Sequence, residues 1–315
     1  MSKKCELNLS TVFNFIQMKQ VVLLVLMLLL MSSTAQEGQQ QKDDEAVSIY
    51  RVLKPDGRRF DLSGLAWYND TIVAVADKPW NTWLYHIELR EDHTATAKPW
   101  QEIGYDSRAD FEAVDYSGGC FFVADERASS IIKVNPALSG KSKTLDISWG
   151  VEENFSEWGN AGIEGLALYP HQKKLYIAKE RDPARLFVVS HKGGETEEVK
   201  LVKTPAGFDI ADMKYAEGCL YFLNRHNFTV MKWDIANQKW GGSYDYSYVM
   251  NAGGEMLYSN SQYPMAEGLL LDEEFIWIAL DNNGRSFNSK NRWIEKYGFT
   301  GDDPVIVRFK RPENF

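Results

Sequence analysis

The chain has 315 residues, 44 acidic and 35 basic, for a net charge of −9 and a pI near 5.2. Hydrophobic residues make up 44%, too many for a disordered chain, and three cysteines cannot build a disulfide-dense scaffold or an all-cysteine zinc site. The acidic balance argues against a nucleic-acid partner, which needs a basic face to neutralise phosphates.

Val21 to Met31 is an unbroken apolar run of 11 residues, flanked by Lys19 and followed by Ser33-Thr34-Ala35. It is too short to span a bilayer and has the form of a signal-peptide core, with cleavage expected before Gln36. Met18 offers an alternative start. Export to the periplasm or beyond is therefore expected, with residues 1–35 as leader, and no membrane span is expected once it is removed. The remaining chain carries 32 basic and 43 acidic residues, or −11. Residues 36–45 are polar and low in complexity, and read as a disordered tether. Residues 46–315 read as one folded domain.

That domain is organised by an internal repeat. Its anchors are Asp61-Leu-Ser-Gly-Leu-Ala-Trp67, Asp110-Phe-Glu-Ala-Val-Asp-Tyr116, Gly162-Ile-Glu-Gly-Leu-Ala-Leu168, Asp209-Ile-Ala-Asp-Met-Lys-Tyr215 and Met265-Ala-Glu-Gly-Leu-Leu-Leu271. Aligned on Ser63, Glu112, Glu164, Asp212 and Glu267, they are spaced by 49, 52, 48 and 55 residues. A second element follows each anchor, as in Val123-Ala-Asp-Glu-Arg127 and Ile177-Ala-Lys-Glu-Arg181, and then a third apolar strand and, in several units, a more polar fourth. The units are rich in β-branched and aromatic residues, with Gly, Asn and Asp at the turns and no amphipathic helix. Four strands in a period near 50 predict the all-β fold of a single β-propeller, with five four-stranded blades and six as the alternative. Ala46 to Leu53 matches no unit. It is expected to complete the last blade and close the ring.

The innermost strand of each propeller blade lines the central channel, so a repeated anchor residue becomes a ring. Four carboxylates, Glu112, Glu164, Asp212 and Glu267, then face one another and need protons, basic partners or a cation. Oxygen ligands favour calcium, with magnesium second, over zinc. The second elements add Asp125, Glu126 and Glu180 as candidate bases, and Arg127, Arg181 and Arg225 to hold an anion. The competing reading is structural: the acids pair with nearby Arg and Lys, or accept backbone N–H groups. Cys120 and Cys219 are expected to be free thiols in non-adjacent blades. Two long segments, residues 149–160 and the Tyr- and Gly-rich residues 240–261, are expected to rim a binding site.

The repeated motifs Ser63-Gly-Leu-Ala66, Asp125-Glu-Arg127, Glu164-Gly-Leu-Ala167, Lys179-Glu-Arg181 and Glu267-Gly-Leu269 resemble the SdiA-regulated family of exported bacterial β-propellers and, more loosely, the phytase-like esterase domain family. The resemblance covers about Asp61 to Phe309 and implies a five-bladed propeller. The anchor glycine is replaced by Ala113 and, as the segments align by eye, by Met213. There is a more distant likeness to five-bladed calcium-dependent nucleotidases.

Two function classes follow. One is a divalent-cation-dependent hydrolase of phosphate or other esters working in the acidic channel. The other is a non-catalytic module whose aromatic loops hold a small molecule, carbohydrate, peptide or protein.

Overall fold

The computed structural model describes residues 47–104, 109–138, 141–150, 155–261, 265–313 and 315. The expected leader and tether, together with Ala46 and Cys5, lie outside the described residues. No helix among the described residues is long and apolar enough to cross a membrane.

The strands form in the order the repeat predicts. β1 (Val47–Leu53) is followed by β2 (Asp61–Tyr68), β3 (Thr71–Asp77), β4 (Trp83–Leu89) and β5 (Thr94–Glu102), and then by β6 (Phe111–Ser117), β7 (Cys120–Asp125), β8 (Ser130–Val134) and β9 (Ser142–Thr144). The short β10 (Ile147–Ser148) precedes β11 (Ile163–Tyr169), β12 (Lys174–Lys179), β13 (Arg185–Ser190), β14 (Gly194–Glu195) and β15 (Glu197–Val199). β16 (Ile210–Ala216), β17 (Cys219–Asn224), β18 (Thr229–Asp234) and β19 (Lys239–Asp245) come next. A small hairpin, β20 (Asn251–Ala252) and β21 (Glu255–Met256), leads into β22 (Ala266–Leu271), β23 (Phe275–Leu280) and β24 (Val305–Lys310).

Three four-stranded sheets result, β6-β7-β8-β9, β11-β12-β13-β15 and β16-β17-β18-β19, and an eight-stranded sheet runs β2-β3-β4-β5-β1-β24-β23-β22. The inner strands β2, β6, β11, β16 and β22 neighbour one another in that order, and β22 returns to β2. The fold is a β-propeller. The expected role of the N-terminal segment holds, with an addition. β1 lies beside β24, where Val52 N–H donates to Pro304 O at 2.9 Å, and it also pairs in parallel with β5, where Arg51 N–H donates to His93 O at 2.9 Å. One strand therefore joins the first and last meanders.

The core sits between the sheets, which explains why the second strands read as almost unbroken apolar runs. Successive side chains point to opposite faces, and both faces are covered. Phe121 and Val123 pack with Ala66, Val73 and Val75 of the preceding sheet, whereas Phe122 and Ala124 pack with Leu166, Leu175 and Ile177 of the next. Tyr176 and Ala178 then pack with Met213, Leu220 and Phe222.

The anchor glycine answers to the closeness of the inner strands. A Cβ on Gly64 would lie 2.5 Å from the Val114 nitrogen, and one on Gly268 would lie 2.0 Å from the Ser63 carbonyl oxygen. Cys120 and Cys219 are free thiols. Within the Tyr-rich residues 240–261, Tyr246 and Tyr258 are 0% and 1% exposed, and Tyr246 packs against Phe309. The segment contributes β19, then a short helix (Ser247–Met250), then the β20–β21 hairpin.

Candidate active site in the acidic channel

Each inner strand carries a one-residue register shift against its partner: between Leu62 and Leu65, Phe111 and Ala113, Ile163 and Gly165, Ile210 and Asp212, and Ala266 and Gly268. Such bulges re-aim side chains. The residues inside the shifts are Ser63, with Gly64, then Glu112, Glu164, Ala211 and Glu267. This corrects the alignment of the β16 anchor. Ala211, not Asp212, is the equivalent of Glu164, and Asp212, not Met213, stands where the other strands carry the anchor Gly or Ala113. A slip of one residue exchanges the faces of a strand.

Ser63, Glu112, Glu164 and Glu267 line a cavity of about 730 Å³, and Asp212 does not. The Asp212 carboxylate is fully buried and committed elsewhere. It accepts Lys214 Nζ at 2.9 and 3.0 Å, Met213 N–H at 2.7 Å and Leu269 N–H at 2.8 Å. Lys214 Nζ also donates to Val114 O at 3.2 Å, from β16 across to β6. Burial raises the Asp212 pKa to about 6, against the opposing pull of Lys214.

The second elements supply another ring. Glu126, Glu180, Arg225 and Asp281 each donate a backbone N–H to the first residue of their own anchor: Asp110, Gly162, Asp209 and Met265. All four line the cavity, with Arg127 and Arg181. Asp125, the other candidate base, does not line it. Its Oδ1 accepts the N–H groups of Asp110 at 3.3 Å and Ala128 at 3.2 Å, closing the turn that places Glu126.

The structural reading of the acids holds for a set that sequence reasoning passed over. The first-position aspartates take the cations: Asp61 pairs with Arg59 and Lys78, Asp110 with Arg127 at 3.0 Å, and Asp209 with Arg225 at 3.1 Å. Their recurrence at the head of three anchors was visible in the sequence. Asp110, Asp209 and Asn160 also line the cavity. Asn160 belongs to the 149–160 segment, so that segment does reach the rim.

Arg225 fills the β16 sector, where Ala211 brings no acid. Its guanidinium holds both oxygens of Glu267 at 2.6 Å and pairs with Glu180 Oε1 and Asp209. Arg181 also pairs with Glu180 Oε1. Glu180 Oε2 is buried and unpartnered, and Glu180 as a whole is 1% exposed. Among the described residues, no hydrogen bond or ion pair reaches the carboxylate of Glu112 or Glu164, and Glu164 is 6% exposed. Glu126 Oε1 accepts only Gly162 N–H, at 2.8 Å.

The electrostatics follow. Burial raises the pKa of Glu112 and Glu164 well above the usual carboxylate range; Glu267 adds to the effect at Glu112, and Glu112 adds to it at Glu164. Burial also raises Glu126 against the Gly162 amide, and raises Glu267 against Arg225. Nine carboxylates and four Lys or Arg side chains line the cavity. One oxygen each of Glu126, Glu164 and Glu180 fall within 4.8 Å of one another, and so do oxygens of Asp77, Asp110 and Glu112. Hard oxygen donors at that spacing fit a divalent cation such as calcium. Without a cation, burial shifts Glu126 and Glu164 toward the protonated form, while Glu180 keeps Arg181 and Arg225 as partners.

The chain belongs to the SdiA-regulated family, whose model matches residues 47–278. The glutaminyl cyclase of Myxococcus xanthus is similar in structure, at 15% identity and a TM-score of 0.51 over 84% of this chain and 100% of that one. At that identity the likeness is one of fold. A gluconolactonase from Xanthomonas campestris superposes at 10% identity and a TM-score of 0.43, over 80% of this chain and 87% of that one. The aldose sugar dehydrogenase of Streptomyces coelicolor does so at 10% and 0.44, over 84% and 98%.

Proposed function

We propose that this member of the SdiA-regulated family is an exported, five-bladed propeller hydrolase that holds a divalent cation, calcium ahead of magnesium, in its acidic channel and cleaves phosphate or other esters. The five-blade reading takes the eight-stranded sheet as two meanders joined at β5–β1. The observation that carries the cation is the pair of buried carboxylates without partners, Glu164 and Glu180 Oε2, grouped with Glu126. A cation bound there supplies Lewis acidity and lowers the pKa of a water.

The remaining roles belong to the side chains. Glu112 is partly open to the cavity, and burial with the neighbouring Glu267 raises its proton affinity, which suits a group that accepts a proton. Arg127 and Arg181 stand at the cavity wall with exposed guanidinium surface and steady an anionic group. Arg225 fixes Glu267 and Glu180. The reading as a non-catalytic module stands second, because Tyr246 and Tyr258 of its expected loops are buried in the core.

The test is a melting curve of the purified protein with and without millimolar calcium, together with turnover of p-nitrophenyl phosphate and p-nitrophenyl acetate. A rise in Tm and calcium-dependent release of nitrophenol are expected. Neither a shift nor turnover with calcium or magnesium sinks the reading.

A further inference from the structure

A second cavity, of about 370 Å³, opens beside the first and shares Asp110, Glu126, Arg127 and Asn160 with it. Its remaining lining is Ser129, Trp158, Gly159 and Gly162. The two spaces meet at Glu126, whose Oε1 accepts Gly162 N–H at 2.8 Å. A ligand lying in the side groove therefore lies next to the acidic channel, with the Glu126 side chain bordering both.

The chemistry of this groove differs from that of the channel. Its one large apolar surface is the Trp158 indole. That ring is held in place by stacking on Phe187, edge contact with Trp149 and the Lys179 ammonium 5.6 Å from its centroid. Among the described residues that line the groove, none carries an aliphatic side chain. Around the indole stand a half-exposed guanidinium, a hydroxyl and an exposed carboxamide: Arg127, Ser129 and Asn160. The Ser129 hydroxyl and the Arg127 guanidinium have one contact each, to Glu126 O at 3.4 Å and Asp110 at 3.0 Å, which leaves further hydrogen-bonding capacity. One rigid aromatic face bordered by donors and acceptors matches a sugar ring, which offers C–H groups on one face and hydroxyls around its edge.

We propose that the side groove is a sugar subsite: the substrate is a sugar phosphate whose ring lies against Trp158 while its phosphate enters the acidic channel. This rests on the cation reading above, and it adds the substrate class. No new bond chemistry is involved, since the subsite binds the part of the molecule that does not react.

The experiment is calorimetric titration of the purified protein with glucose 6-phosphate, inorganic phosphate and glucose, each with and without calcium. With calcium, glucose 6-phosphate is expected to bind at least about tenfold more tightly than phosphate. Trp158→Ala is expected to bring the two to parity and leave phosphate and calcium binding unchanged. Because Trp158 also packs on Phe187, Ser129→Ala, which lines the side groove and not the channel, provides a second reading, with a loss of about threefold or more for the sugar phosphate alone. Equal binding of phosphate and glucose 6-phosphate to the calcium-loaded protein overturns the subsite. Glucose binding that depends on Trp158 in a protein that takes no calcium supports the subsite and sinks the cation reading instead.

Discussion

Two groups of acids sit on the inner strands or at the end of the strand beside them, and they are treated in opposite ways. In one, Asp115 accepts Tyr116 and Leu168 N–H groups at 2.8 Å, and Asp212 accepts Lys214, Met213 and Leu269. Each of these carboxylates ties one inner strand to the next, and Lys214 ties across the ring. In the other, among the described residues, no hydrogen bond or ion pair reaches the carboxylate of Glu112 or Glu164, and Glu180 keeps one oxygen bare. Burial alone therefore does not separate a structural acid from a functional one. What separates them is whether the lone pairs are answered by the protein.

The most severe way to break the comparison is Lys214→Met, which leaves Asp212 buried without its cation. A loss of about 3–5 kcal/mol in urea unfolding is expected. Any folded protein should keep its calcium response, and parental stability would show that the clasp contributes nothing. Glu164→Gln should act in the reverse sense. Calcium affinity is expected to fall about tenfold or more, roughly 1.4 kcal/mol, while stability without calcium stays level or rises as like charges are relieved. A large drop in cation-free Tm would place Glu164 among the structural acids.

The two groups also differ in what acid does to them. Five of the carboxylates lining the cavity have raised pKa values when folded: Glu112, Glu164 and Asp281 well above the usual carboxylate range, and Glu126 and Glu267 above it. The folded state then binds more protons than the unfolded one, so stability of the cation-free protein should fall as pH rises from the ordinary carboxylate range through the raised folded values. Calcium should flatten that slope, and its own affinity should weaken as pH drops, because its ligands must be ionised. Melting curves from pH 5 to 8 with chelator and with calcium check both signs. The smallest effect is expected from Gly162→Ala. A Cβ there would lie 2.6 Å from Glu126 Cγ and push that carboxylate aside, for a few-fold loss of calcium affinity with little change in fold.

How much the sequence disclosed varies with the kind of constraint. The strands and the ring positions of Glu112, Glu164 and Glu267 were readable because an acid next to a small residue recurs at a fixed period. The small residue itself is dictated by neighbouring backbone. Asp212 was misplaced because acid was matched with acid, whereas the bulge sets register by backbone pairing and selects Ala211. Asp125 was misjudged for a related reason: side chains alternate at a strand end, so only Glu126 of that pair turns inward. Arg225 was visible as a cation near the channel. Its grip on Glu267, Glu180 and Asp209 depends on blades far apart in sequence and has no local signature.

The double pairing of β1 has a consequence for when the molecule becomes whole. Arg51 of that strand meets Asp303 across 252 residues of chain, and the same strand is bonded to β5 nearby. β1 and β5 can assemble early, from local sequence, and then wait with one edge open until β24 exists. The final contact is the one of longest range, so closing the ring should be the slow event of folding. Until it happens, the waiting edge is a template for any other extended strand, including β24 of a second copy. Concentrated refolding should therefore favour strand-exchanged oligomers over the monomer, whereas dilution should restore self-closure.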